Sequence, residues 1–241
     1  MLYLLAPFAY IGTIFGDNES IIKIPLLLAD LAILFFLVKI FPHKKQKLIL
    51  FYFLNPIIIY SIYIHSQLDI IPTALLFESV YFLLLDKIKI SSIFFGLALS
   101  TKFHVIIALP LVLFYLYKKQ KSIKVVEYIA ISFFILLLLD LPFLFSEGFL
   151  NMVLLNPKQT LLFDTFYSIG TLKILLPIAA ILMVYLHFFN QNKVNQDLLF
   201  FYFGLLFTAT VFFIYPAPAW YVWMIPFLSI YFIQNQNQKK S

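Results

Sequence analysis

SSIFFGLALSTKFHVIIALPLVLFYLY, residues 91–117, holds 27 residues with Lys102 and His104 near its middle, and Lys-rich breaks flank it on both sides, DKIK at 86–89 and YKKQKSIK at 117–124. A bilayer core about 30 Å thick takes roughly 20 apolar residues of helix at about 1.5 Å each. Cytoplasmic loops of membrane proteins carry the excess of Lys, so both ends of this stretch belong on one side. The stretch is too short for two complete crossings. The simplest solution is a hairpin of two short or broken helices whose bend carries Lys102 and His104. Non-helical backbone at that depth is tolerated only inside protein or beside a water-filled cavity. A single long tilted helix is the competing arrangement, and it would invert the topology of everything that follows.

Outward from this element, the polar breaks mark apolar spans at 21–42, 48–64 and 70–88 before it, and at 124–145, 171–189, 197–214 and 219–234 after it. The first 16 residues, with Pro7 and Gly12, read as a helix lying in the outer interface. The fold class is therefore all-α: a polytopic transmembrane bundle of about eight to ten membrane segments with one broken or re-entrant pair. It forms one membrane-embedded domain over 1–241, with an outer juxtamembrane segment at 1–20, the bundle at 21–234 and a polar, disordered tail at 235–241. The basic breaks at 43–47, 86–89, 117–124 and 190–196 face the cytoplasm; those at 16–20, 65–69, 146–170 and 215–220 face the other side.

Composition agrees with this. Hydrophobic residues make up 63% of the 241 and charged residues 12%, whereas a soluble domain is about half apolar and a quarter charged. The net charge of +6 comes entirely from Lys and matches a membrane protein's basic loops, so nucleic acid is not an expected partner. The absence of Cys removes disulfides, thiolate nucleophiles and cysteine metal sites. The four His lack the short helical spacing of a zinc motif.

Ionisable residues near membrane depth are costly and mark candidate sites. His65, Gln67 and Asp69 form one group. If a helix starts there, His65 and Asp69 are four apart and can share a face. They then bind a polar headgroup or move a proton. The alternative is a hydrated loop in which Asp69 caps the helix. Lys102 and His104 form a second group, suited to a phosphate or, alternatively, to a Lys reaching the interface. Asp17 and Glu19, just before Lys23, could hold a divalent cation through oxygen ligands, or cap a helix in a solvated loop; no other cofactor is implied. Asp30, Glu78 and Asp140 read as interhelical hydrogen-bonding groups. Trp220 and its aromatic neighbours form an interfacial belt, with stacking on a sugar or prenyl chain as the alternative.

The order of motifs matters more than any one of them. Glu19-Ser20, Lys23-x-Pro25 with Ala29-Asp30, Asn55-Pro56, His65-x-Gln67-x-Asp69, Gly96 followed by Lys102, and PAWYVWMIP at 218–226 occur in sequence. In this order the chain resembles the GT-C superfamily of integral-membrane glycosyltransferases. It is most similar to the branch dependent on lipid-phosphate sugars, which includes dolichyl-phosphate-glucose glucosyltransferases and related mannosyltransferases. The resemblance implies transfer of a hexose from a polyprenyl-phosphate sugar to a glycolipid or protein acceptor within a membrane: the endoplasmic reticulum in a eukaryote, the cell membrane in a prokaryote. It further implies inversion at the anomeric carbon, with a first-loop aspartate as base. Candidate catalytic carboxylates are Asp17, Glu19 and Asp69; candidate substrate contacts are Lys23, His65, Gln67, Lys102, His104 and Trp220. Two departures stand out. Near relatives often have Asn where this chain has Asp69, and in the family a first helix and the catalytic acid precede the region that begins here at Met1. The expectation is an incomplete or divergent member that binds donor and transfers little. A small transporter or flippase and a non-catalytic membrane subunit are the alternatives.

Overall fold

The computed structural model describes residues 1–119, 121–214, 216 and 218–235. Two helices are long and apolar enough to cross a bilayer, at Asn18–Ile40 and Ser122–Phe143. In the second, only 17% of the apolar window is buried. Phe134, Leu137 and Leu138 are more than half exposed, the side-chain display of a helix solvated by lipid rather than water. Lys45–Phe53 and Pro56–Ile64 are together long and apolar enough for a third crossing, but they are bent by 50° at the break between them. The reading of 48–64 as one unbroken span is thus corrected. Pro56 lacks an N–H and disfavours helical backbone before it. Asn55 accordingly turns extended (φ −63°, ψ 126°), and its side chain accepts from the Ile57 N–H at 3.0 Å to start a new helix.

Seven shorter apolar helices of 10–17 residues complete the described bundle. The sequence suggested full spans at four of the seven, Ile70–Leu84, Leu176–Phe189, Gln196–Phe212 and Ile225–Gln234, so the expected eight to ten segments resolve into two or three of spanning length among shorter ones. Leu2–Phe15 is one of these short helices. A second correction concerns 146–175. The break at 146–170 folds into short helical turns and then an antiparallel hairpin that takes in the first residues of the span expected at 171, with Phe166–Ile169 paired to Leu172–Leu175 around Gly170 at φ +61°. The helix expected to begin at 171 consequently begins at Leu176. Of the tail read as disordered, residues 236–241 lie outside the described residues, as do Tyr215 and Ala217 of the expected outer break at 215–220.

Helix Ile70–Leu84 sits at the centre and packs on Ile88–Thr101, which packs in turn on Ser122–Asp140. Ser79 and Ser91 exchange hydrogen bonds with each other's carbonyls at 2.9 and 2.8 Å, and the Tyr128 hydroxyl lies 2.9 Å from Ser79 Oγ. Small polar residues let three helices approach and satisfy one another without water. Opposite them, Phe77, Phe200, Phe203, Phe207 and Phe227 are fully or almost fully buried and supply the apolar core.

Of the three intramembrane carboxylates, Asp30 hydrogen-bonds between helices as expected. It is fully buried and accepts from the hydroxyls of Tyr52 at 2.6 Å and Tyr63 at 2.7 Å. Asp140 instead interacts electrostatically with the amino terminus. Glu78 has no hydrogen-bond partner among the described residues. Removing one donor from a buried acceptor costs about 1–3 kcal/mol. Tyr52→Phe should therefore lower the thermal midpoint of the protein in detergent, and Tyr63→Phe, at a more exposed hydroxyl, should lower it less. Equal midpoints for wild type and Tyr52→Phe would show that Asp30 draws nothing from this bond.

The basic breaks gather at one end of the bundle. Lys121 pairs with Asp86, Lys89 and Lys124 with Glu127, and Lys118 donates to the carbonyls of Phe189 and Gln191. The breaks around 66–69 and 152–162 meet at a shared cavity instead. Because the chain has no native Cys, single cysteines at 66 and 119 should label from opposite sides of a sealed vesicle. Labelling of both from one side would refute this arrangement.

Candidate functional site

The stretch around 91–117 breaks at Lys102. Ser100 and Thr101 turn their hydroxyls back onto the carbonyls of Leu97 and Ala98 at 2.9 and 2.6 Å, closing the helix that began at Ile88. Such local bonds compete with continued helix. Lys102 is then extended (φ −160°, ψ 123°), a 3₁₀ turn covers Phe103–Ala108, and Pro110 opens helix Leu109–Lys118. Tyr185, from helix Leu176–Phe189, donates to the Ile107 carbonyl that the break sets free.

This break meets the 65–69 loop. Lys102 Nζ forms an ion pair with Asp69 Oδ1, and Gln67 donates to Asp69 Oδ2, so both carboxylate oxygens are engaged. Asp69 is 1% exposed while the Lys102 side chain is 36% exposed, so the pair has a buried anion and a cation that reaches open space. Asp69 stands at the start of helix Ile70–Leu84 but makes no side-chain cap there. Its carboxylate is spent on Lys102 and Gln67 rather than on the N–H groups of the helix start.

That open space is a cavity of about 830 Å³ whose lining includes Gln67, Asp69, Lys102, His104, Trp220 and Trp223. Pockets of about 300–1,000 Å³ with apolar walls and a few convergent polar groups are typical of small-molecule sites. The two indoles stack with centroids 5.2 Å apart, and His104 stacks on Trp223 at 3.8 Å. Lys102 Nζ lies 5.6 Å from the Trp220 ring and 5.3 Å from that of Trp223. The result is an aromatic wall with a cation in front of it. Such a wall can stack on a sugar ring or a prenyl chain while the cation meets an anion.

The remaining candidates lie elsewhere. His65 ends the preceding helical turn and stacks on Tyr60 with ring planes 7° apart. Ser66, at φ +52°, turns the chain between it and Asp69, so the two do not share a helical face and His65 does not line the cavity. Asp17 caps the short turn Asn18–Ile21 by accepting from the Ser20 N–H at 3.0 Å, and that bond holds its carboxyl below the ordinary carboxylate range. Glu19 pairs with Lys23 at 3.3 Å. Lys23 lines a separate groove of about 180 Å³ with Ser20 and Tyr63. The structure thus gives the Asp-x-Glu carboxylates two different partners. Among the described residues, no group of three or more His, Cys, Asp or Glu is placed to hold a metal ion.

Lys158 and Trp223, both in the cavity lining, escaped the list of candidate residues read from the sequence. Lys158 reaches within 5.9 Å of the Trp220 ring from the 146–170 break, where a single Lys on an otherwise Lys-poor side was the available signal. Trp223 was visible as one turn beyond Trp220, but its stacking on His104 depends on packing. Residues 20–153, more than half of the chain and including Asp69 and Lys102, match the family model described as ALG3 protein. No curated protein and no solved structure matches the chain.

Proposed function

Because the chain belongs to the ALG3 protein family, membrane glycosyltransferases that use a dolichyl-linked sugar, we propose that it moves mannose from a polyprenyl-phosphate donor to a glycolipid acceptor in the endoplasmic reticulum membrane. The observation that carries this reading is the Asp69–Lys102 pair in front of the stacked Trp220 and Trp223. Lys102 meets the donor phosphate through an ammonium that is only partly enclosed. Asp69, with Gln67, holds that ammonium in place and tempers its charge. The indoles stack on the sugar or the first isoprene units, and His104 backs Trp223 from behind.

In an inverting transfer the acceptor oxygen attacks the anomeric carbon as its proton passes to a base, a role typically worth about 10²–10⁴-fold. Asp69 is the carboxylate that borders the cavity. Asp17 and Glu19 would serve only if the 16–20 turn moved over it. The transporter alternative draws on the two interrupted helices, but the Asn55–Pro56 break does not line the cavity and supplies no matching half-site.

The experiment is donor binding and transfer by the purified chain in lipid, with mannose and glucose donors compared. Mannose-donor binding should exceed glucose-donor binding, and any transfer should fall at least 100-fold in Asp69→Asn while Asp17→Asn and Glu19→Gln stay within twofold of wild type. Failure of the folded chain to bind either donor would overturn the proposal. Transfer undiminished in Asp69→Asn would remove Asp69 from the chemistry.

A further inference from the structure

The Asp69–Lys102 pair leaves one cation in the cavity unaccounted for. Lys158 lines the same cavity and sits against the same Trp220 indole as Lys102. Lys102 is matched by a buried carboxylate, whereas Lys158 has no ion pair among the described residues. Its own backbone is held by the turn it begins: Asn156 accepts from the Lys158 N–H at 2.9 Å, and Pro157 stiffens the link between them. Among the charged side chains of the cavity wall, Asp69 balances Lys102, and Lys158 is the ammonium left without an ion-pair partner among the described residues.

We propose that Lys158 distinguishes the charge state of the lipid phosphate, binding the leaving phosphate after sugar transfer more strongly than the donor before it. This rests on the donor reading above. In the transfer, the bond between the anomeric carbon and the phosphate oxygen breaks, and its electron pair stays on that oxygen. The acceptor oxygen bonds to the carbon, and the acceptor proton passes to the base and on to water. The phosphodiester donor carries one negative charge. The phosphomonoester product carries close to two above its second pKa of about 6. A cation already balanced by Asp69 responds weakly to that added charge, whereas an unpaired ammonium responds fully. An interaction that strengthens as charge develops on the leaving oxygen favours the transition state over the bound donor.

The test compares binding of polyprenyl monophosphate and polyprenyl-phosphate mannose to wild type, Lys158→Gln and Lys158→Arg in lipid nanodiscs. At pH 7.5, Lys158→Gln should weaken monophosphate binding about tenfold, equivalent to about 1.4 kcal/mol, and weaken mannose-donor binding less than threefold. Lys158→Arg should retain both affinities. At pH 5, where the monoester has one charge, the difference between the two ligands should shrink to less than threefold. Phosphatidic acid at equal mole fraction should not displace the polyprenyl monophosphate. Wild type that binds neither polyprenyl ligand would sink the donor reading itself. Wild type that binds both, with Lys158→Gln unaffected or weakened equally for the two, would sink only the role of Lys158. Displacement by phosphatidic acid would reduce the site to a general contact for anionic lipid and overturn the proposal.

Discussion

Lys102→Met should cost both stability and donor affinity, and the two losses should separate in a double variant. With Lys102 gone, the Asp69 carboxylate stays 1% exposed with Gln67 as its remaining partner. Breaking a fully buried pair costs about 3–5 kcal/mol, whereas a surface pair is worth about 0–1. Here one partner is buried and the other 36% exposed, so the loss should fall between these limits. Adding Asp69→Asn removes the stranded charge and should return most of the thermal midpoint. It cannot return an ammonium to the cavity. A charge-assisted contact is worth about 1.5–3 kcal/mol, so donor affinity should stay at least about tenfold weaker in both variants. If the double variant regained donor binding along with stability, Lys102 would be a brace for the loop and not a phosphate contact.

Gly96→Val should produce the largest structural effect. A Cβ at position 96 would lie 2.6 Å from the Ser132 carbonyl oxygen and 2.8 Å from the Ile135 Cβ, inside the contact between helices Ile88–Thr101 and Ser122–Asp140. One obstacle is backbone and the other a branched carbon next to it, so neither yields by a rotamer change. Forcing volume into a packed interface costs about 1–3 kcal/mol and more where the backbone must move. Helix Ile88–Thr101 ends at Lys102, so displacing it also carries the ammonium away from Asp69. The expected result is a variant with a markedly lower thermal midpoint and lost donor binding. Gly148→Val, where the nearest atom is the Ser146 hydroxyl at 3.6 Å, should behave as wild type. A Gly96→Val protein with wild-type stability would mean that the two helices do not pack at this distance.

The break at Lys102 was legible because length and flanking charge are additive along the chain: 27 residues between two Lys-rich ends leave few arrangements. The bend at Asn55–Pro56 carried an equally local signal, the proline, but the run of apolar residues on both sides reads as continuous unless the missing N–H is given priority. The hairpin at 166–175 had no clear signature. Its alternate positions do not divide into apolar and polar faces, and its residues are exposed or half-buried on both.

Asp69 and Lys102 were each conspicuous as charged residues in an apolar chain, yet they are 33 positions apart and their ion pair depends on where two loops end in space. His65 was equally conspicuous and lies outside the cavity, because a single residue at positive φ turns the chain between it and Asp69. Lys158 was inconspicuous and lies inside it.

The sequence by itself determined the solvent of this protein, its helical class and the division of its loops into a basic end and an opposite end. Apolar burial is non-directional and nearly proportional to area, so composition and spacing are enough to reveal it. Only the tertiary structure decided which polar groups meet. An ion pair or a stacked ring exists or fails within an ångström or two, and that distance is set by residues such as Gly96 and Tyr185 that carry no mark of the site they shape.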